Sequence, residues 1–262
     1  MNDTISYDGY TLVFEDRFDG HCLNRDDWNV ELHEPGWVNE ELQRYVDSEE
    51  NIRLRNGCLE LRPVKRKGSD GRDAYSSGRI NTQGKHEFTY GLFEARLRVP
   101  RGKGFLPAFW LMTGDEQTYE PWPVCGEIDI MEILGDRLNT SYGTLHYGLP
   151  HTQSQGSFTL EEGDFSQEFH RFSLLWEPGR MSWYIDGKCS HSLTDWFCVG
   201  RDGKRRRYPA PFDHPMYLIL NLAVGGSWVG NPDETTDFDH AVFAVDDVRV
   251  YQKNWEVRHG KN

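Results

Sequence analysis

Cations are scarce in this chain. It carries 29 Lys and Arg against 42 Asp and Glu, a formal net charge of −13 with histidine neutral. Phosphate backbones and anionic membrane surfaces reward excess cation, so neither nucleic acid nor membrane is an expected partner. Long apolar runs are missing as well. Nothing approaches the ~18 residues of a membrane span, and residues 1–20 lack the cationic start and apolar centre of a secretory signal. The expected location is cytoplasmic, a reading that Met1 favours, with secretion from a precursor whose signal peptide has been removed as the alternative. The five cysteines, at 22, 58, 125, 189 and 198, form no CxxC pair and leave one over. That count speaks against a disulfide framework or a zinc site. No linker, repeat or low-complexity tract breaks the chain, so residues 1–262 are expected to form one domain; a monomer is expected as well.

Aromatic residues, by contrast, are plentiful. Only 37% of the 262 residues are hydrophobic, yet 13% are aromatic, with nine Trp, 12 Tyr and 14 Phe. Acidic disordered chains are poor in such rings, so this one folds. Rings beyond the needs of a modest core suit flat polar ligands such as sugars or nucleobases, and the charge balance disfavours the second. Short alternating runs recur between Gly, Asn, Asp and Pro: TLVFEDRF, FTYGLFEARLRV, GEIDIMEIL, SYGTLHYG, RFSLLW, SWYIDGK, YLILNLAV and VDDVRVYQ. In one of them Leu92, Glu94, Arg96 and Arg98 share a face while Phe93, Ala95, Leu97 and Val99 share the other, the period of a strand. Many short strands with turn signals between them imply an all-β sandwich or barrel. Only 23–31 and 166–172 read as able to hold a helical turn. The one charge run, Arg201 to Arg207, reads as a solvated polar loop rather than an anion-binding patch.

The chemistry concentrates in Gly126-Glu-Ile-Asp-Ile-Met-Glu-Ile-Leu-Gly135. At ~100° per residue a helix would scatter the three acids. A flat strand puts Glu127 and Asp129 on one face and Glu132 on the other. One extra residue, a bulge at Ile130-Met131, brings all three to one face and leaves Ile128 and Ile133 for the core. Crowded carboxylates raise at least one pKa. Glycoside hydrolysis uses that asymmetry: one ionised carboxylate attacks while one protonated acid serves the leaving oxygen. A metal site or an exposed acidic strand is the plainer alternative. Trp110 and Trp122 flank the strand in sequence and offer rings for sugars to stack on, or else core packing. His146 suits hydroxyls or the acids themselves. Arg79, Asn39 and Glu41 are polar residues amid hydrophobic neighbours and suit hydroxyl recognition, or are simply satisfied buried groups.

GEIDIME followed by GTLHYG resembles glycoside hydrolase family 16, in particular its bulged, laminarinase-like branch. LVFEDRFDG, GWVNEELQRY, SSGRINT, FTYGLFEARLRVP, LPAFWLM, FHRFSLLWEPGRMSWYIDGK, LILNLAVGGSWVGNP and VDDVRVYQ follow in family order over most of the chain. The resemblance implies a β-jelly-roll sandwich of two antiparallel sheets, with the acids on the concave face, cutting internal β-glycosidic bonds with retention. It makes Glu127 the nucleophile, Glu132 the general acid/base and Asp129 the assisting acid. It places Trp110 by the distorted sugar, Trp122 on the non-reducing side, and Asn39, Arg79 and His146 as subsite contacts. It also implies a structural calcium held by Glu15 and Gly57 through their backbone carbonyls and by Asp246, with no cofactor for catalysis. Leu106 stands where the branch usually has Trp, and Val38 and Glu40 where Gly and Asn are common, which bears on linkage preference. The expected activity is an endo-β-1,3-glucanase or β-1,3-1,4-glucanase. The alternatives are a β-galactan hydrolase of the same family, a non-catalytic carbohydrate-binding sandwich and a nucleic-acid-binding β-protein.

Overall fold

The computed structural model describes residues 4–114 and 116–253. Short strands follow one another, beginning with β1 (Thr11–Asp16), β2 (Asn29–Val30), β3 (Gln43–Tyr45), β4 (Ile52–Arg55), β5 (Cys58–Leu61) and β6 (Val64–Lys67). Then come β7 (Asp73–Ser77), β8 (Arg79–Asn81), β9 (Glu87–Phe88), β10 (Gly91–Arg98) and β11 (Phe105–Thr113). One helical turn, α1 (Glu116–Tyr119), precedes β12 (Glu127–Glu132), β13 (Thr140–Tyr147), β14 (Thr152–Thr159) and β15 (His170–Glu177). The last are β16 (Arg180–Ile185), β17 (Lys188–Leu193), β18 (Met216–Val224) and β19 (Phe243–Gln252). No helix among the described residues is long and apolar enough to cross a membrane.

Two eight-stranded sheets result. The backing sheet runs β17-β16-β15-β10-β19-β5-β4, with β1 also on β19. The cleft sheet runs β14-β13-β12-β11-β18-β8-β2, with β9 also on β18. Strands far apart in sequence are neighbours in each, such as β10 with β19 and β11 with β18. This is the expected antiparallel jelly-roll sandwich.

Alternation sets the interior. β10 turns Phe93, Ala95 and Leu97 inward, and β15 adds Phe172, Leu174 and Trp176. The cleft sheet answers with Phe109, Leu111, Ile128, Leu145, Leu218 and Leu220. Each such Leu, Ile or Phe side chain contributes about 1.5–3 kcal/mol on burial. β18 is buried along its whole length, because Asn221 on its second face meets Trp110 and Tyr45.

Glu94 departs from the expected polar outer face, being only 1% exposed. The segment before β1 covers it: the Tyr7 hydroxyl donates to its carboxylate at 2.9 Å, and Ser173 does so at 3.0 Å. The two segments expected to hold a helical turn go no further than a turn. Residues 23–31 make one bonded turn, Trp28 N to Asn24 O, and enter β2, while 166–172 turns into β15. The Asn24 and Asp164 side chains accept the amides of Asp26 and Ser166, bonds that compete with helix.

One contact between the sheets reaches the acidic strand. Trp183 extends from β16 to the underside of the cleft sheet and donates its indole N–H to the Asp129 carbonyl at 2.8 Å. Its ring stacks on His191 with centroids 4.4 Å apart. Gly143 and Gly156 make the room, since a Cβ at Gly143 would lie 2.5 Å from Trp183 Nε1 and one at Gly156 2.5 Å from His191 Nδ1. Overpacking of this kind costs about 1–3 kcal/mol. Gly143→Ala should lose that much stability in urea unfolding.

Candidate active site

β12 carries Glu127, Asp129 and Glu132 on one face because its pairing slips. Asp129 pairs with Thr144 and Glu132 with Tyr142, so Ile130 and Met131 oppose Gly143 alone. On the other side Trp110 pairs with Asp129 and Phe109 with Met131, which leaves Ile130 as the extra residue. Ile128, Ile130, Met131 and Ile133 are all buried in the core.

The three acids have unlike surroundings. Trp122 donates its indole N–H to Glu127 at 2.7 Å. His146, opposite Glu127 on β13, brings Nε2 to 3.2 Å from Asp129 Oδ2. Burial, and then the charge of Asp129, push the Glu127 carboxyl up, while His146, the Trp122 N–H and Arg79 pull it down. Burial also raises Glu132, and its charged neighbours Asp129, Glu127 and Glu41 all raise it further. Glu132 is therefore the better holder of a proton and Glu127 the better holder of a charge. Burial works to lower His146, but its hydrogen bond to Asp129 and the charges of Asp129 and Glu127 outweigh that and raise it. His151 Nε2 lies 2.9 Å from His146 Nδ1. Burial, and then the charge of His146, hold His151 below its ordinary value, so His146 takes the proton of the pair.

Rings and polar groups border the acids. Trp110, on β11, donates to the Asn221 side-chain oxygen at 2.7 Å, and the Asn221 amide nitrogen in turn donates to the Tyr45 hydroxyl at 3.1 Å. Arg79 is buried with its guanidinium 4.8 Å from the Trp110 ring and 5.2 Å from that of Trp37. Glu31 fixes Arg79 through a 2.8 Å ion pair and also accepts from Asn81 at 2.6 Å. Asn39 lies in the exposed loop between β2 and β3, where its carbonyl accepts the Ser227 amide at 2.9 Å. Both Asn39 and the following Glu40 have positive φ, at 51° and 59°. Glu41, behind them, is buried, its pKa is raised by that burial, and it accepts from Gln43 at 2.7 Å.

Sequence reasoning missed Trp37 and Trp228, which are 49% and 45% exposed. Trp37 stacks on His33 with rings 3.5 Å apart, and Trp228 meets Tyr142, whose partner in β12 is Glu132. Their signal was position: each sits in a glycine-flanked loop, GWVN and GGSWVG. His151 was missed as well.

Among the described residues, Glu127, Asp129 and His146 are the group whose ligand atoms lie within 4.8 Å of one another. The residues expected to hold calcium sit on the backing sheet. Asp246 is held by Arg96 at 2.7 Å, and Glu15 by Arg249 at 2.9 Å and Arg17 at 3.1 Å. Gly57 turns between β4 and β5 with φ 70°. Both carboxylates are thus already neutralised by arginine. A hard cation wants six to eight oxygens, and here these would have to be mainly backbone carbonyls.

The model of glycosyl hydrolases family 16 matches residues 37–240. The chain belongs to this family. A glucan endo-1,3-beta-glucosidase of Cryptopygus antarcticus is 37% identical, over 96% of this chain and 94% of that protein. Glucan endo-1,3-beta-glucosidase A1 of Niallia circulans is 36% identical over 94% of this chain, which spans only 38% of its length. The solved endo-beta-1,3-glucanase of Pyrococcus furiosus superposes with a TM-score of 0.79 at 37% identity, covering 98% of this chain and all of that one.

In this family 16 chain the raised Glu132 sets a pH signature. A carboxyl whose folded pKa is raised favours the folded state at low pH, and that advantage disappears as pH rises from the ordinary value through the raised one. Glutamine has no proton to lose. Glu132→Gln should melt with the wild type at about pH 4 and above it at about pH 8, as read by calorimetry.

Proposed function

We propose that this chain is a retaining endo-β-glucanase cutting internal β-1,3 bonds, or the bonds of mixed-linkage β-1,3-1,4-glucan, by double displacement. The observation that carries this reading is the division between two glutamates on one bulged strand, one with N–H and cationic neighbours and one with only anionic neighbours. Glu127 attacks the anomeric carbon while Glu132 gives its proton to the departing glycosidic oxygen. Water then hydrolyses the glycosyl-enzyme, with Glu132 now acting as base. Asp129, paired with His146, stands between them and orients the nucleophile. Trp110 and Trp122 offer stacking faces, joined by Trp37 and Trp228, while Arg79, Asn39 and His146 serve sugar hydroxyls. The chain acts as one catalytic domain and a monomer on β-glucan polysaccharide or oligosaccharide.

The acid set argues against a purely binding sandwich, because binding needs no nucleophile beside a proton donor. A structural calcium at Glu15, Gly57 and Asp246 belongs to this proposal only as a site built on carbonyls of the backing sheet, and no step of the chemistry passes through it.

Digestion of laminarin, barley β-glucan and a galactan panel tests the substrate. Release of oligosaccharides from a glucan is expected, and release from galactans alone would sink the reading. Glu127→Gln should lower kcat by more than about 10⁴-fold while still retaining laminari-oligosaccharides in a binding assay. Chelation with EDTA should leave kcat unchanged and lower Tm.

A further inference from the structure

The run from Arg201 to Arg207 holds five cations and one carboxylate on a chain whose net charge is −13. A solvated loop needs no anchorage, yet this one is a fastened hairpin. Val199 bridges Arg205, Gly200 N bonds Lys204 O at 3.1 Å, and Arg206 N bonds Cys198 O at 2.8 Å. Its base is tied to both segments that form one corner of the cleft. Leu149 N donates to Val199 O at 2.8 Å, two residues before His151. Arg206 pairs with Glu120 at 2.6 Å, two residues before Trp122, and the Arg201 amide donates to the same carboxylate at 3.0 Å. Trp122 and His151 themselves meet with ring centroids 5.0 Å apart.

The hairpin's one carboxylate and the neighbouring Glu120 are used up at its base. Glu120 and Asp202 both bind Arg206, and Lys204 stands 4.0 Å from Asp202. Arg205 and Arg207 are exposed and, among the described residues, make no ion pair. Arg205 lies over the exposed Phe197 ring at 5.3 Å, which holds its guanidinium on a platform. Charges at such a corner act over a Debye length, about 8–10 Å in ordinary buffer. A cationic corner on an otherwise acidic molecule has no value to a neutral sugar and favours an anionic one.

We propose that the hairpin 197–207 recognises anionic substituents, carboxylate or sulfate, on the glycan chain held at the Trp122 end of the cleft. This deepens the glucanase reading and rests on it. Arg205 and Arg207 are exposed donors on the hairpin fastened to that corner, and guanidinium binds both oxyanions in bidentate fashion.

The test compares neutral laminarin with carboxymethylated and with sulfated laminarin, using the full chain and the double variant Arg205→Glu/Arg207→Glu. Hydrolysis is read as kcat and KM, and affinity electrophoresis in gels containing each polymer reads binding without turnover. On at least one charged polymer the double variant should show a KM about three- to tenfold higher, with kcat/KM on neutral laminarin and Tm unchanged. The wild-type preference for the charged polymer should vanish near 1 M salt, where the Debye length is about 3 Å. The response of the two charged polymers tells carboxylate from sulfate. Equal changes on charged and neutral polymers, or none on either charged one, would overturn the proposal while leaving the glucanase reading intact. Failure to cleave any neutral glucan would strike the glucanase reading itself, and the binding gels would still register the hairpin's preference.

Discussion

The site depends on one mismatch of backbone count. Two residues of β12 stand where β13 offers one, and this slip gives three acids a common face that a regular strand would deny them. A bulge leaves a segment of ladder unpaired and locally more twisted, so something has to hold it. Trp183 does so from the opposite sheet, by donating to the carbonyl of Asp129, the last residue before the slip. The sandwich is thus more than a platform for the cleft, because its backing layer reaches through to fix the strand that carries the acids.

Gathering the acids is unfavourable, since burial and like charge both oppose ionisation. The fold relieves this unevenly. The Trp122 N–H and His146 favour charge on Glu127, whereas Asp129, Glu127 and Glu41 disfavour it on Glu132. The same crowding that costs stability separates the proton affinities of two chemically identical side chains.

Much of this was legible from residue order. Counting by twos along EIDIME fails by one residue, and the failure itself located the bulge. The alternation in FEARLRV predicted an inward face that the structure keeps. Other features carried no such mark. Trp183 acts on a backbone carbonyl, which every residue possesses, so SWYIDGK looks like any core strand. The composition announced surplus rings without saying which were free. Trp28, Trp176, Trp183 and Trp196 lie in the core, while Trp37, Trp122 and Trp228 are open. Glu94 alternates like a surface residue and is covered by Tyr7, a partner 87 positions away that no local pattern can foresee.

Trp122 holds two positions at once. Its indole is 41% exposed at the cleft, and its only N–H is committed to Glu127 at 2.7 Å. A ligand that turns this ring must stretch that bond, and a proton arriving on Glu127 weakens the bond from its other end. Ring orientation and carboxyl titration are therefore linked equilibria, and linkage is reciprocal. What binds on the ring alters the basicity of Glu127, and the pH alters how readily the ring gives way.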